Sequence, residues 1–410
     1  MKVRERPLGS LFQRRKQVGY LDETMLSVFR DHGVIRKDSR ENLNKTAEDR
    51  SIYQLVESGW LVVNRMKAWQ GSVGIAFERG TVSGHYLCFR PAHAEDDRFL
   101  NHLLRSEPFR LEYASLSRGV RPGQAEIDNE WLKAIRVRLP PLETQRHIAD
   151  FLDDQVARLD AASASAADAA RLLGERPLLR SHERLIQADG SWSLPPGWLL
   201  APVGAFFALE LGKMLNAERA GGLRLRPYLR NTNVQWDRID VGDLKQMHFE
   251  PVDARRYGLR AGDLLICEGG QPGRAAIWDG RIAEVYYQKA LHRARARRAD
   301  VLPRWLLHLL RLCVHRGFFA DEGGTTIAHL TGEQLRALRL PFPPIDEQRR
   351  LVSDMDEDWR VTRSAEADVA RLKGLLDERK RALITACVTG EVDVSTASSR
   401  AADAALQGIG

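Results

Sequence analysis

Two kinds of short stretch in this sequence contain residue types found in catalytic motifs, but neither has the full pattern. The paired prolines follow Leu139 and Phe342, whereas an amino-methyltransferase motif places Asn or Asp before them. The run GGQPGRAA at residues 269–276 has no Lys-Ser/Thr pair after its glycines, so it is not a phosphate-binding loop. No G-x-S-x-G, HExxH or glycine-rich dinucleotide motif occurs. We therefore expect a non-catalytic chain, and a site assembled from distant His and carboxylate residues stays open as the alternative.

The four cysteines are too far apart to form a local metal site. Cys88, Cys267, Cys313 and Cys387 are separated by more than 40 residues, which gives neither a CxxC pair nor the density of a disulfide framework. We expect them to be reduced residues of the packed interior. The sequence predicts no metal site and no cofactor on this chain.

The charge of the chain suits a polyanionic partner. The formal net charge is +7, and only 11 of the 62 basic residues are Lys, so Arg supplies most of the positive charge. The Arg guanidinium makes bidentate contacts with phosphate and with guanine edges, and each neutralised phosphate releases counterions. An Arg-biased genome would give the same composition, so charge alone does not decide the question.

The amino terminus and the hydropathy pattern predict a cytoplasmic protein. Residues 1–16 carry charges where a secretory signal needs an apolar stretch. No run of about 18 apolar residues, the length that spans a membrane, occurs in the chain. We expect no membrane association.

An internal repeat determines how the polar residues are positioned. Residues 139–145 (LPPLETQ) and 342–348 (FPPIDEQ) are similar at an offset of 203 residues. The same offset, or a small shift of it, relates LVV at 61–63 to LLI at 264–266, and FLNHLLR at 99–105 to WLLHLLR at 305–311. The chain therefore contains one unit twice, and a repeat decides the architecture before local patterns do.

Each copy is predicted to be a globular domain followed by a long helix. Short apolar runs between glycine turns predict strands, and the leucine-rich runs predict a shorter helix within each domain. The paired prolines predict the start of a helix of about 35–40 residues in each copy, because Pro is tolerated in the first helical turn.

Apolar positions along the two long helices alternate in steps of four and three, which is typical of a coiled-coil seam. The predicted seam positions are Leu152, Val156, Leu159, Ser163, Ala166, Ala170 and Leu173 in the first helix and Thr362, Ala365, Val369, Leu372, Leu376, Arg379, Leu383 and Ala386 in the second. We expect antiparallel pairing; the alternative is two amphipathic helices that each pack on their own domain. Pro177 should end or bend the first helix, because an interior proline costs about 3 kcal/mol.

The predicted fold is α+β, with two repeated globular α/β domains separated by two long helices that form an antiparallel coiled coil, related by a pseudo-two-fold internal repeat. The predicted boundaries are residues 1–139 for the first domain, 140–190 for the first helix, 191–342 for the second domain, 343–392 for the second helix and 393–410 for a disordered tail. The first helix departs from the second after residue 176, so its distal end is expected to be shorter or irregular.

This arrangement resembles the specificity subunit of type I restriction-modification systems, over nearly the whole chain. The segments that carry the resemblance are LPPLETQ, FPPIDEQ, SGWLVVNRMKAWQGSVGIAF, SRGVRP, RYGLRAGDLLICEGGQPGRAAIW, YYQKALHRAR, IAHLTGEQLRALRLPFPP and LLDERKRALITACVTGEVDV. In that family the two globular parts are target recognition domains, and the helices form a spacer that docks methyltransferase subunits.

The resemblance implies both a partner set and a division of labour. Each recognition domain would read one half of an asymmetric bipartite site in double-stranded DNA, and the helices would set the gap between the halves. Methyltransferase subunits and restriction or translocase subunits would supply adenine methylation and ATP-driven cleavage. S-adenosylmethionine, ATP and Mg²⁺ would then be bound by those partner subunits.

Candidate DNA contacts are polar side chains on loops held by strands, because phosphate contacts position a protein and base-edge contacts specify the sequence. Asn and Gln suit adenine, Arg suits guanine, and Glu can accept from cytosine. In the first domain the predicted DNA-binding residues are Asn64, Arg65, Lys67, Gln70, Arg118 and Arg121. In the second domain they are Glu268, Gln271, Arg274, Gln288, Lys289, His292, Arg293, Thr325, Thr326 and His329. The loop glycines fit either close approach to a groove wall or a turn with positive φ.

Three other functions stay open at this point. A non-catalytic coiled-coil scaffold would bind proteins and would lack the steep salt dependence of DNA binding. A specificity subunit of a different restriction-methylation type would share the same sequence features. A nucleotide-using enzyme with paired glycine loops would be stabilised by S-adenosylmethionine or ATP.

Overall fold

The computed structural model describes residues 3–39, 50–119, 125–214, 223–319 and 329–394, and the structural statements below refer to these residues. Its contacts divide the chain into two compact units. Unit 1 is Met1–Ala167 with Ala370–Gly410, and unit 2 is Asp168–Val369. Each unit thus holds one globular domain and one half of each long helix. The predicted tail lies, from residue 395 on, outside the described residues.

The globular domain of unit 1 is built from short strands and small helices. Its strands are β1 (Arg4–Pro7), β2 (Phe12–Arg14), β3 (Leu26–Phe29), β4 (Gly33–Arg36), β5 (Gln54–Val56), β6 (Leu61–Asn64), β7 (Val73–Ile75), β8 (Gly80–Val82), β9 (Tyr86–Pro91), β10 (Ser117–Arg118), β11 (Glu126–Ile127) and β12 (Arg136–Leu139). Its α-helices are α1 (Leu8–Leu11), α2 (Asp97–Arg105), α3 (Glu107–Leu116) and α4 (Asn129–Ala134), and 3-10 turns cover Lys37–Ser39 and Ala68–Gln70. The first long helix, α5, follows at Leu142–Leu185.

The globular domain of unit 2 is likewise built from short strands and small helices, and it differs from that of unit 1 in its smaller sheets. Its strands are β13 (Leu199–Pro202), β14 (Phe207–Leu211), β15 (Leu225–Leu229), β16 (Val234–Gln235), β17 (Arg238–Ile239), β18 (Lys245–His248), β19 (Leu264–Cys267), β20 (Ala275–Ile277), β21 (Tyr286–Tyr287), β22 (Leu291–Ala296) and β23 (Arg339–Phe342). Its helices are α6 (Val203–Phe206), α7 (Asp253–Tyr257), α8 (Pro303–His315) and α9 (Gly332–Ala337), with a 3-10 turn at Asn231–Asn233. The second long helix, α10, spans Ile345–Thr389.

The two domains share one sheet topology, which confirms the internal repeat. A four-stranded antiparallel sheet has the order β2-β9-β6-β7 in unit 1 and β14-β22-β19-β20 in unit 2. A two-stranded ladder leads into each long helix, β1 with β12 and β13 with β23. Helices α4 and α9, strands β12 and β23, and the starts of α5 and α10 each differ by 203 residues, the offset read from the sequence.

Continuous apolar runs form the central strands of both sheets because these strands are buried on both faces. Residues 61–63 of β6 and 264–266 of β19 are fully buried. The four cysteines are free and buried, as expected, and burial raises the pKa of the Cys88, Cys313 and Cys387 thiols to about 12. No helix in the described ranges is both long enough and apolar enough to cross a membrane.

The glutamine of each paired-proline motif connects a long helix to the globular domain that precedes it. Gln145 and Gln348 are buried, and in each the side-chain NH₂ donates to the carbonyl of the first proline of the pair, at 2.8 Å. The Gln145 Oε1 accepts from the Asp96 backbone N–H at 3.0 Å, and the Gln348 Oε1 accepts from the Leu302 N–H at 2.9 Å. Each glutamine thus fixes the start of a long helix to the start of a domain helix.

Both long helices exceed the length predicted from the sequence. Helix α5 has 44 residues and α10 has 45, so the estimate of about 35–40 was wrong. Pro177 does not end α5, because the helix continues through it to Leu185. The Pro177 side chain is buried, so tertiary packing offsets the helical hydrogen bond that the Leu173 carbonyl loses.

The helices pair in antiparallel fashion within each unit. In unit 1, the Lys380 Nζ lies 2.7 Å from the Asp160 Oδ1, and in unit 2 the Arg184 Nη1 lies 2.8 Å from the Asp358 Oδ2. Residue numbers rise along α5 while those of the partners on α10 fall, which confirms the predicted antiparallel pairing.

The seam of α5 was predicted correctly, whereas the seam of α10 was partly wrong. The predicted positions of α5 are buried or half-buried. On α10, Leu372 is 48% exposed and Arg379 is also exposed, while Lys373 and Lys380 are half-buried. The seam therefore runs one residue later in this stretch, because a lysine can lay its aliphatic stem across an Ala-rich partner and keep its charge in water.

Candidate nucleic-acid interface

The predicted loop of unit 1 connects β6 to β7 and is held by its own hydrogen bonds. The Asn64 Oδ1 accepts from the Met66 backbone N–H at 3.2 Å, and the Trp69 Nε1 donates to the Met66 carbonyl at 3.1 Å. A 3-10 turn follows at Ala68–Gln70, and Gly71 ends it at φ 94°. The loop therefore presents its polar side chains from a fixed backbone.

The exposed cations of this loop and of the β10–β11 hairpin lie side by side. The Arg65 Nη2 is 2.8 Å from the Glu126 Oε2, and Glu126 is the register partner of Arg118. The Arg118 guanidinium lies 4.4 Å from the ring centroid of Trp131. Arg65 and Arg118 are exposed and are therefore neighbours on the surface, and Lys67 is exposed on the same loop as Arg65.

In unit 2, three predicted segments meet at Glu268. The Glu268 backbone N–H donates to the Ala290 carbonyl at 2.9 Å, and the Glu268 carbonyl accepts from the Leu330 N–H at 2.7 Å. The loop after β19, the loop before β22 and His329 are therefore neighbours. In unit 1 the carbonyl of Arg65 accepts from the Ile127 N–H at 3.2 Å, and both pairs are related by the 203-residue offset.

The predicted residues of unit 2 differ in how far they are free to meet a ligand. Gln271, Lys289 and His329 are exposed, while Glu268 and Gln288 are half-buried. Asn64 and Gln70, in unit 1, are also half-buried. These residues can reach a partner without a rearrangement of the domain core.

Three predicted residues of unit 2 make internal hydrogen bonds instead. The Arg274 Nη2 donates to the Asn231 Oδ1 at 3.0 Å, and the Arg293 Nη1 donates to the Arg256 carbonyl at 2.8 Å. His292 is 1% exposed with its Nε2 2.7 Å from the Leu330 carbonyl, and burial lowers its pKa. In this conformation the structure gives these side chains a role in the domain, and base contact by them stays a prediction.

Residues Arg121, Thr325 and Thr326 lie outside the described residues. The sequence reasoning did not single out Glu126, Trp131 or Asn231, which hold Arg65, Arg118 and Arg274 respectively. The exposed Trp131 also lines a cavity of about 590 Å³ with Phe109 and Ile135. An aromatic residue in a basic surface was the available sequence signal, because bases stack on such rings.

The glycines of the unit 2 loop serve backbone geometry. Gly270 has φ 74° and Gly273 has φ 86°, a region that L side chains rarely adopt. A Cβ atom on Gly212 would overlap the Gln288 carbonyl. These positions therefore require glycine for the loop itself, whether or not a ligand approaches. No cluster of three or more metal-binding side chains occurs within the described part of the chain.

Comparison with known proteins places this architecture. A family model for the type I restriction modification DNA specificity domain matches residues 29–163. The specificity subunit of the type I restriction enzyme EcoKI from Escherichia coli (strain K12) is 21% identical over an alignment of 323 residues that covers 74% of this chain and 67% of that subunit.

Two solved structures have the same fold. A chain from a structural study of complex assembly and conformational transition in a type I R-M system superposes with a TM-score of 0.73 at 17% identity, over 95% of this chain and 98% of that one. The HsdS subunit from Thermoanaerobacter tengcongensis gives a TM-score of 0.52 at 17% identity, over 95% and 97%. The first copy therefore matches the type I restriction modification DNA specificity domain, and the doubled fold matches the folds of these two solved chains.

Proposed function

We propose that this chain is a DNA specificity subunit of a type I restriction-modification system, and that each of its globular domains reads one half of an asymmetric, bipartite DNA target. The observation that carries the proposal is the equivalence of Arg65 and Glu268, which hold the same backbone hydrogen bond in the two copies. The scaffold places the two loops identically within their domains, yet one presents NRMKAWQG and the other CEGGQPGR. Two similar frames with different side chains should read two different half-sites.

The exposed members of the predicted set are the proposed DNA contacts. In unit 1 they are Arg65, Lys67 and Arg118, and in unit 2 they are Gln271, Lys289 and His329. Arg at such positions suits guanine and phosphate, and Gln suits adenine. Trp131 joins the unit 1 set as a stacking surface beside Arg118.

The two long helices would set the gap between the half-sites and dock methyltransferase subunits. Restriction or translocase subunits would complete the assembly, and these partners would bind S-adenosylmethionine, ATP and Mg²⁺. The chain itself would contribute recognition of the DNA sequence and no catalytic group. We infer a cytoplasmic location because its DNA substrate lies there and its four thiols are free.

Paired loop variants test the division between the halves. The Arg65→Ala/Lys67→Ala variant and the Gln271→Ala/Lys289→Ala variant are each expressed with the cognate methyltransferase, and methylated adenines are mapped across the host genome. Each pair should change or relax one half-site and leave the other unchanged, since a lost base contact costs about 1–3 kcal/mol at its own position. Arg350→Ala, on the exposed face of α10, is the control.

Two outcomes would contradict the proposal. One is a change in both halves from a single pair of substitutions, and the other is an unchanged target from both pairs. A chain that binds no DNA specifically, with no loss of affinity as salt rises, would instead favour a protein scaffold.

A separate variant tests the spacer. One extra helical turn inserted within residues 161–167 should change the gap length and leave both half-sites as they were. New half-site sequences with an unchanged gap would show that the helices do not set the spacing.

A further inference from the structure

A basic stripe recurs on one helix of each globular domain, and in both copies its His is buried while its first Arg is partly exposed. On α2 it consists of Arg98, His102 and Arg105, and on α8 it consists of Arg304, His308 and Arg311. We call these six residues the Arg-His-Arg stripes. In both helices the spacing is four and then three residues, which places the side chains on one face. The stripe therefore lies in the part of the domain that repeats, and not in the loops whose sequences differ between the two copies.

Each stripe faces carboxylates of the adjoining long helix. In unit 1, the Arg98 Nη1 lies 3.1 Å from the Asp153 Oδ2, and the His102 Nε2 lies 2.8 Å from the Asp153 Oδ1. In unit 2, the Arg304 Nη2 lies 2.7 Å and the His308 Nε2 2.8 Å from the Asp356 Oδ1. One aspartate thus joins the first two stripe residues to the long helix in each copy.

The third residue of each stripe reaches a hairpin of the domain. The Arg105 Nη2 donates to the Arg30 carbonyl at 3.2 Å, at the turn between β3 and β4. The Arg311 guanidinium lies 5.3 Å from the ring centroid of Trp236, in the turn between β16 and β17, and 4.2 Å from that of Trp359 on α10. Arg311 is 94% buried by this stacking, since its exposed fraction is 6%.

Unit 2 adds an acidic bridge at the same hairpin. Asp237 has φ 60°, a strained value for a residue with a side chain. Its Oδ2 accepts from the Arg304 Nη2 at 2.8 Å and lies 3.5 Å from the Arg363 Nη1 on α10. The hairpin, the domain helix and the long helix are therefore joined in one network within the unit.

We propose that the Arg-His-Arg stripes are positioning residues that fix the angle of each recognition domain on its long helix, and that this angle decides how strictly the subunit selects the gap length of its DNA target. The inference rests on the proposed bipartite reading. A long helix of fixed length cannot select a gap if the domains at its two ends rotate freely. Hydrogen bonds from Arg and His to one shared carboxylate have a defined geometry, and they restrain such rotation better than apolar contacts, which are non-directional.

The test uses matched neighbouring carboxylates. Asp153→Asn and Asp356→Asn remove the carboxylate charge that the first two residues of each stripe share, while Arg98 keeps Asp150 and Arg304 keeps Asp237. Asp154→Asn and Glu357→Gln are the controls, because Asp154 pairs with Arg158 and Glu357 with Arg360 along their own helices. The full-length chain is assembled with its methyltransferase, and methylation rates are measured on DNA with the native gap and with the gap longer or shorter by one base pair.

The stripe variants should raise the rate on altered gaps relative to the native gap by about tenfold, which corresponds to about 1.4 kcal/mol. The half-site sequences should not change, and the controls should keep the wild-type ratio. An unchanged ratio in folded Asp153→Asn and Asp356→Asn proteins would overturn the inference. Failure of both variants to fold, judged by thermal unfolding, would also overturn it, because the stripes would then serve the fold itself.

The same experiments distinguish a failure of the proposed bipartite reading from a failure of the role assigned to the stripes. If the wild-type complex methylates no bipartite site, the reading of two half-sites is wrong, and the gap experiment has no substrate. If it methylates a bipartite site and only the gap ratio fails to respond, the stripes alone lose their assigned role.

Discussion

The two globular domains are alike where they are buried and differ where they are exposed. Gln145 and Gln348 donate the same hydrogen bond to a proline carbonyl, and His102 and His308 both lie 2.8 Å from an aspartate of a long helix. The exposed loops share only a backbone position, with Arg65 in one copy and Glu268 in the other. The repeated residues therefore build the common domain framework, while the residues that differ are available for recognition.

Substitution of the two buried glutamines should have the largest effect on the free energy of unfolding. Gln348→Leu and Gln145→Leu should each lower the free energy of unfolding by about 2–4 kcal/mol, because each leaves buried backbone groups without partners. Chemical denaturation of the full chain measures the change, and Gln187→Leu, at an exposed position, is the control. A loss confined to one of the two variants would show that the copies are not equivalent frames.

The strands and helices that the two domains share were largely predictable, because their apolar positions repeat along the sequence. The 203-residue offset gave the central strands, α4 and α9, and the starts of both long helices. Pro177 was expected to end or bend α5, but tertiary packing of a buried proline overrides local preference. The length of α10, which contains no proline, was also underestimated. The α10 seam was misplaced because Lys373 and Lys380 are polar in type but contribute apolar stems.

The candidate interface was less predictable, because a polar residue after a strand can face either solvent or the domain. Lys67 and Lys289 are exposed, as a reading residue requires. Arg274 directly precedes β20 and His292 lies within β22, and their partners, Asn231 and the Leu330 carbonyl, are distant in sequence. Local patterns contain no information about such long-range partners.

The next prediction contrasts an exposed arginine with a buried one. Arg118→Ala should weaken binding of the complex to its DNA target by about 10- to 100-fold, or about 1–3 kcal/mol, with little change in unfolding temperature. Arg293→Ala should lower the unfolding temperature, because the Arg256 carbonyl loses its donor. Weaker DNA binding by Arg293→Ala at an unchanged unfolding temperature would mean that Arg293 leaves the interior to contact bases.

A third prediction concerns acid and unit 2. Burial lowers the pKa of His308 below its ordinary value of 6.5, and the Asp356 carboxylate offsets this only in part, with Arg304 and Arg311 adding repulsion. Burial opposes ionisation of Asp356, but its hydrogen bonds to His308 and Arg304 prevail and lower its pKa to about 2. Both folded-state pKa values are depressed, so both contributions are present at neutral pH and are lost as the pH falls.

The His308 contribution should decline first, below pH 6.5, and the Asp356 contribution should follow below pH 3.8. Thermal unfolding measured from pH 7 downward should show this decline, and His308→Leu, which is neutral at every pH, should remove its first part. An equally steep decline in His308→Leu would assign the acid sensitivity to other groups.

The two ion pairs between the long helices should contribute unequally to the free energy of unfolding. Asp160 is half exposed at its pair with Lys380, so Asp160→Asn should change the free energy of unfolding by no more than about 1 kcal/mol. Asp358 is nearly buried between Arg180 and Arg184, and Asp358→Asn should cost about 1–3 kcal/mol, because the two cations lose a negatively charged partner and one of its two acceptor oxygens. Chemical denaturation of the two variants, side by side, gives the difference. Since the seam of unit 1 is rich in alanine, an equal and large loss in both variants would mean that charge rather than seam packing holds the helices together in that unit.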